Sequence, residues 1–186
     1  MLKNPYDDIA YCLFYLSLIY SLYCVFQAFD FVKEASLYTG IFSLLFLNLS
    51  LFFSLWSCKW SKNYPKILGF CAFFWSILHF ANYFVFTQNI SFLRLTQSIS
   101  TRTFEASGFI AFIIMTILFI SSFKTFRKIE KIRKLSYLSL FLGSYHYFLS
   151  AKVPMFWQWS AIIVAIGYCT FGFLKHLFIT KKMKNI

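Results

Sequence analysis

Long apolar stretches without charged residues alternate with short polar segments along the chain. Six stretches have or approach the length of a membrane-crossing helix, about 20 residues for a hydrocarbon core of about 30 Å. They cover residues 9–29, 35–57, 67–87, 106–123, 135–151 and 153–174. Segments such as 109–120 are apolar on every face, whereas the strands of a membrane barrel alternate. The pattern predicts an all-α fold, a polytopic bundle of about six transmembrane helices in a single domain, 1–186.

The basic residues lie mostly on one side of these predicted spans. Of the 18 lysines and arginines, 14 precede the first span or follow the second, fourth and sixth. The other four lie on the opposite side: Lys33, Arg94, Arg102 and Lys152. Because basic residues concentrate in cytoplasmic segments, this distribution predicts that both termini are cytoplasmic. An even number of spans, such as six, agrees with that topology.

The composition excludes the main soluble classes. The chain is 60% hydrophobic and 13% charged, whereas a typical soluble domain is about 45–50% apolar and about 25% charged. A soluble chain of 186 residues could not bury so much apolar surface. The net charge of +12 follows from the basic cytoplasmic segments and predicts no binding to nucleic acid.

Two of the three histidines fall within predicted spans at similar depth. His79 lies about 18 Å and His146 about 16.5 Å from the cytoplasmic face, at 1.5 Å per residue. Two neutral imidazoles that face each other within a bundle can hold one haem iron from both sides. The alternative is a pair of unrelated polar residues that form hydrogen bonds between helices. His176, beside Lys175 at a cytoplasmic span end, is interpreted as an interfacial residue.

Other chemistry has little support in the sequence. The five cysteines include no C-x-x-C pair, so zinc, iron–sulfur and thioredoxin-like sites are not indicated. No G-x-G-x-x-G nucleotide motif is present, which argues against direct oxidation of NAD(P)H. Aspartate and glutamate are absent from every predicted span, which argues against a proton-coupled transporter. A six-helix transporter or assembly protein without a redox cofactor remains the alternative function.

Several short stretches around the two histidines match one known family in order and spacing. They are Pro65-Lys66-Ile67-Leu68-Gly69 with Trp75-Ser76-Ile77-Leu78-His79, Arg102-Thr103-Phe104 with Gly108, Ser121-Ser122, and Ile132-Arg133-Lys134-Leu135-Ser136-Tyr137 with His146-Tyr147. Together they resemble the MsrQ (YedZ) family, within the larger group of ferric-reductase-like membrane domains. The likeness covers residues 65–155, and Gly40 is the one match before them.

The resemblance implies a multi-pass b-type cytochrome of the bacterial inner membrane. It implies that His79 and His146 are the axial ligands of haem b. Electrons would come from a quinol or a flavin donor, with FMN as a further cofactor. They would leave for a periplasmic molybdopterin enzyme that reduces methionine sulfoxide in proteins. The chain would then be the electron-transfer subunit of an oxidoreductase system rather than its catalytic subunit.

The sequence departs from the family at positions that bear on the cofactor. Arg133 stands where the family has a further histidine, thirteen residues before His146. A protonated guanidinium cannot ligate iron, so the sequence predicts one haem and argues against a second, inner one. Thr103 and Phe104 replace a proline and a tyrosine of the family.

The predicted outer side offers candidates for the rest of a haem site. Arg102 or Lys152 could pair with a haem propionate. Nearby aromatic residues are expected either to pack the porphyrin or to face lipid: Phe74, Trp75, Tyr83, Tyr145 and Tyr147. The widest outer connection is residues 88–105. Four of its apolar residues are expected in the membrane interface: Ile90, Phe92, Leu93 and Leu95.

Overall fold

The computed structural model describes residues 7–56, 61–123, 132 and 134–184, with the backbone alone for residues 173–184. Seven α-helices occupy these ranges, and no β-strand occurs within them. They are α1 (Asp7–Gln27), α2 (Phe31–Leu55), α3 (Tyr64–Asn82), α4 (Phe92–Thr101), α5 (Thr103–Ser121), α6 (Leu135–Ser150) and α7 (Phe156–Lys184). A π-helical segment, Tyr83–Thr87, continues α3. The prediction of an all-α fold is confirmed.

The helices reproduce the predicted spans with modest shifts at their ends. Four segments are long and apolar enough to cross a membrane by length and composition: α1, α2, α5 and the continuous stretch Tyr64–Thr87. Helix α6 has 16 residues and matches the fifth predicted span. In α7, the described apolar part is Phe156–Gly172, within the sixth predicted span. The chain is therefore a polytopic helical bundle, while the sidedness of its termini stays a prediction.

Local sequence signals set where the helices begin. The side chain of Asp30 accepts a hydrogen bond from the backbone N–H of Lys33 at 3.0 Å, which caps the start of α2. Pro65 lies in the first turn of α3, where its missing N–H costs no helical hydrogen bond. Ser91 caps α4 in the same way as Asp30 caps α2.

Four helices, α2, α3, α5 and α6, surround the interior of the bundle, since α2 packs on α3 and α6, and α5 packs on α3 and α6. Helix α1 packs on α2 and α3, and α7 packs on α6. The largest fully buried side chains include Trp75, Phe46 and Leu140. The ring of Trp75 stacks on Phe42 at 5.1 Å. We call the end of the bundle that holds Lys33, Glu105 and Ser150 the outer end, because the charge distribution predicts that it faces away from the cytoplasm.

The outer connection 88–105 contains a helix that sequence analysis did not predict. Asn89 and Ile90 have positive φ angles of 50° and 57°, and α4 begins two residues later. Leu95 is only 5% exposed because the apolar face of α4 packs on the bundle, whereas Leu93 is 79% exposed. The expectation that Leu95 lies in the membrane interface was therefore wrong. An amphipathic helix buries its apolar face where a partner surface is available.

Candidate functional site

His79 on α3 and His146 on α6 lie next to each other inside the bundle. Their ring centroids are 6.0 Å apart, and their ring planes are inclined at 84°. A bond between a metal ion and an imidazole nitrogen is about 2 Å long, so one ion held between two imidazoles places their centroids about 6 Å apart. The structure therefore brings the two histidines to a spacing that suits a shared metal ion.

Hydrogen bonds fix the protonation of both rings. Nδ1 of His79 lies 2.9 Å from the carbonyl oxygen of Ser36 and 3.2 Å from Oγ1 of Thr39. Nδ1 of His146 lies 2.8 Å from the carbonyl oxygen of Phe104. Since a carbonyl can only accept, each neutral ring carries its proton on Nδ1 and donates it. Each Nε2 then keeps its lone pair, which is the form of imidazole that binds a metal.

Two glycines make room for the histidine rings. A β-carbon added at Gly40 on α2 would lie 3.2 Å from Cε1 of His79. One added at Gly108 on α5 would lie 2.6 Å from Nδ1 of His146, which is closer than real contacts allow. The ring of Phe104 stacks on the ring of His146, with 4.2 Å between their centroids and 10° between their planes. Each imidazole is therefore positioned by the neighbouring helix that carries the glycine as well as by the helix that carries the histidine.

A cavity of about 350 Å³ contains both histidines. It lies between α2, α3, α5 and α6, and Leu95 and Ile99 of α4 line its outer part. Most of its remaining wall is aliphatic or aromatic, including Leu44, Leu47, Phe80, Phe109, Phe112 and Met115. Ligand pockets commonly have volumes of about 300–1,000 Å³ and such apolar walls. Two imidazole donors in an apolar cavity between helices fit a haem.

The predicted aromatic residues divide between the cavity and other places. Tyr83 and Tyr147 line the cavity. Trp75 packs on Phe42 instead, and Phe74 and Tyr145 are 42% and 38% exposed. Sequence analysis missed the phenylalanines that line the wall, because 27 phenylalanines give no signal that separates one helix face from another.

A buried carboxylate lies at the outer end of the cavity, and sequence analysis missed it. Glu105 is 7% exposed and lines the cavity. Its Oε1 pairs with Nη1 of Arg102 at 3.0 Å, and its Oε2 accepts a hydrogen bond from the hydroxyl of Tyr83. The predicted span began at residue 106, whereas α5 begins at Thr103, so the prediction that the spans lack acidic residues was wrong. The spacing of Arg102 and Glu105, three residues apart at the start of α5, was the available signal.

The other predicted site residues are distributed as follows. Arg102 is engaged with Glu105, and Lys152 lies in the connection between α6 and α7, outside the cavity wall. Lys33 does line the cavity. Arg133 lies outside the described residues, as does the side chain of His176. Within the described part of the chain, no group of three or more His, Cys, Asp or Glu could hold a metal ion.

Comparison with known proteins gives two matches. Residues 39–132, half of the chain, match the model of the family described as ferric reductase like transmembrane component. The chain is also 34% identical over 88 residues to the protein-methionine-sulfoxide reductase heme-binding subunit MsrQ of Deinococcus radiodurans, a match that covers 45% of this chain and 43% of the relative. The matched region thus spans less than half the length of that relative. No solved structure matches the chain.

The family match covers most of the residues that carry the resemblance, and His146 lies beyond its end at residue 132. The family match begins at residue 39, beside Gly40, and it includes His79, Arg102 and Gly108. The resemblance to ferric-reductase-like membrane domains and to MsrQ, drawn from short motifs, is confirmed by these comparisons. This polytopic helical chain belongs to the family of ferric reductase like transmembrane components.

Proposed function

We propose that this chain is a membrane redox subunit that holds one haem b between His79 and His146 and passes electrons through it. The observation that carries the proposal is the pair of neighbouring imidazoles, with ring centroids 6.0 Å apart, in a largely apolar cavity. Each ring donates its Nδ1 proton to a carbonyl oxygen. Nε2 of each ring therefore keeps the lone pair that can bind a metal. Bound there, haem would supply a one-electron couple.

The residues of this chain would keep that couple in place. The carbonyl oxygens of Ser36 and Phe104 hold the two imidazoles in the correct tautomer and orientation. A hydrogen bond at Nδ1 also makes the ligating nitrogen more basic. Two histidines on one haem would leave no position open for oxygen, which favours electron transfer over oxygen chemistry. The apolar wall excludes water from the site.

The path of the electrons is proposed from the family likeness. The relative is named as the haem-binding subunit of protein-methionine-sulfoxide reductase. We infer that this chain resides in a bacterial inner membrane and serves a periplasmic molybdopterin reductase of methionine sulfoxide. The outer end of the cavity, predicted to face the periplasm, supports delivery on that side. The donor is a quinol that diffuses in the bilayer, or a flavin reductase that uses FMN.

Optical spectra of the purified protein in detergent test this function. Reduced-minus-oxidised spectra are expected to show the bands of a b-type cytochrome. Replacement of either proposed ligand, His79→Ala or His146→Ala, is expected to abolish them, because a single imidazole does not hold the haem from both sides. His176→Ala is the matched control and should keep them. A folded protein that stays colourless when haem is supplied would contradict the proposal and favour a transporter or an assembly protein.

A further inference from the structure

The outer end of the cavity carries an uneven distribution of charge. On one side is Lys33, in the first turn of α2. On the other side is the buried carboxylate of Glu105, in the first turn of α5. Among the described residues that line the cavity, Lys33 is the only lysine or arginine. An anionic group in this cavity would therefore be attracted towards α2 and repelled from α5.

The other basic residues near the outer end are poorly placed for such a group. Arg102 directs Nη1 to Glu105 and does not line the cavity, whereas Lys33, also an exposed residue, does. Lys152 does not line the cavity in the part of the chain that the structure describes. Lys33 has acidic neighbours, but neither Asp30 nor Glu34 is among the described cavity residues. The carboxylate of Asp30 accepts the backbone N–H of Lys33 as the cap of α2.

The position of Lys33 on its helix adds to its charge. The first turn of a helix carries the positive end of the helix dipole, which favours an anion. At α5 this end is matched by Glu105, and at α2 it is matched by Asp30 and Glu34, but among the described residues the charged side chain that α2 contributes to the cavity wall is Lys33. Of the residues that line the cavity, the start of α2 therefore contributes a cation and the start of α5 a carboxylate.

We propose that Lys33 binds a propionate carboxylate of the haem and so sets the direction in which the porphyrin lies. The inference rests on the proposed function, since it requires haem between His79 and His146. The carboxylate edge of the porphyrin points to the outer end of α2 and away from Glu105. Lys33 thereby takes the role that sequence analysis assigned to Arg102 or Lys152.

Binding of two porphyrins to the haem-free protein tests this assignment. Iron protoporphyrin IX has free propionates, whereas its dimethyl ester keeps the ring and the iron but lacks both negative charges. Lys33→Gln is expected to weaken the affinity for iron protoporphyrin IX about tenfold, the usual scale for loss of a hydrogen bond between charged groups. Its affinity for the dimethyl ester should change less than twofold. Lys33→Arg should restore most of the selectivity, because it restores the charge.

The controls separate the failure of this inference from the failure of the proposed function. Lys152→Gln, the matched control, should bind both porphyrins as the wild type does. A wild-type protein that binds neither porphyrin refutes the haem function itself. Equal losses for both porphyrins in Lys33→Gln, or equal affinities for both in the wild type, overturn the role of Lys33. A selective loss in Lys152→Gln would assign the contact to Lys152 instead.

Discussion

The imidazole of His146 lies directly on the backbone of α5 at Gly108, where an added β-carbon would be 2.6 Å from Nδ1. From this position the ring donates its Nδ1 proton to the carbonyl oxygen of Phe104, four residues earlier on the same helix. A side chain at position 108 would occupy the space that the ring needs in order to reach that oxygen. The position of the His146 ring on α6 therefore requires a glycine at position 108 on α5.

Gly108→Ala is expected to displace the His146 ring and break its hydrogen bond to Phe104. Overpacking of this kind typically costs about 1–3 kcal/mol, so the thermal midpoint in detergent should fall and haem b affinity should drop at least tenfold. Gly40→Ala should act in the same direction but less strongly, since its contact with His79 would be 3.2 Å. Gly167, with nothing within 4 Å of an added β-carbon, is the control. Equal effects of Gly108→Ala and Gly167→Ala would refute this account.

Thr39→Val is expected to raise the reduction potential of the haem. The hydroxyl of Thr39 donates to the carbonyl oxygen of Ala35 at 2.6 Å, so it accepts from Nδ1 of His79. Its loss weakens hydrogen bonding at Nδ1, makes Nε2 less basic and stabilises ferric iron less. The rise should be roughly 20–60 mV, because a hydrogen bond contributes about 0.5–1.5 kcal/mol and tenfold corresponds to about 59 mV.

A matched threonine on α5 provides the control for that measurement. The hydroxyl of Thr116 bonds to the carbonyl oxygen of Phe112, four residues earlier, at 2.9 Å. Thr116→Val thus removes the same kind of helical hydrogen bond without touching His79. Spectroelectrochemical titration of both variants should show a shift only in Thr39→Val. A fall in potential in Thr39→Val would contradict the assigned direction of the bond.

Arg102→Ala is expected to destabilise the protein by about 1–2 kcal/mol. The carboxylate of Glu105, whose side chain is 5% exposed, would keep the hydrogen bond from Tyr83 at Oε2 and lose the guanidinium at Oε1. An unsatisfied buried group costs about 1–3 kcal/mol, and the loss should be near the lower end because solvent screens the Arg102 side chain, which is 70% exposed. Unfolding in mixed micelles measures the effect.

A double-mutant cycle with Glu105→Gln isolates the pair. Once the negative charge at position 105 is removed, replacement of Arg102 should cost little, so the two effects should not add. Arg94→Ala is a control at an arginine that has no ion pair among the described residues. Strict additivity of Arg102→Ala and Glu105→Gln would show that the pair does not contribute to stability.

The sequence predicts how deep a residue lies in the bundle when that depth follows from its position along a helix. Spacing within spans placed His79 and His146 at similar depth, because each residue of a helix rises by a fixed 1.5 Å. The direction in which each side chain points was not accessible in the same way. In a helix that is apolar on all faces, the hydrophobic pattern does not show which face points to the cavity. Trp75, which packs on Phe42, therefore cannot be told from Phe80, which lines the cavity.

Short helices and span ends were the least predictable parts of the site. A rule that ends a span at the first charged residue puts Glu105 in a loop, yet its partners Arg102 and Tyr83 allow it to be buried. Helix α4 was missed because its apolar residues were assigned to the membrane surface. Tyr83, which bonds to Glu105, and the part of the bundle on which Leu95 packs are distant in sequence, and local sequence patterns do not report such contacts.

Leu95→Ala is expected to have a much larger effect than Leu93→Ala, although both leucines lie on α4. Leu95 is 5% exposed and lines the cavity, whereas Leu93 is 79% exposed. Truncation of a buried leucine removes apolar contacts and leaves a void, which costs about 2–5 kcal/mol in well-packed cores. It should also admit water to the outer end of the cavity, and a wetter site stabilises the more highly charged ferric haem.

We therefore expect Leu95→Ala to lower both the thermal midpoint and the reduction potential, and Leu93→Ala to leave both near wild-type values. Unfolding in detergent and redox titration give the two readouts independently. The reverse order would mean that α4 presents Leu93, rather than Leu95, to the bundle. A loss of stability in Leu95→Ala with an unchanged potential would mean that α4 packs on the bundle without closing the cavity. Comparison of Leu95→Ala with Leu93→Ala thus shows whether α4 only stabilises the fold or also closes the proposed redox site.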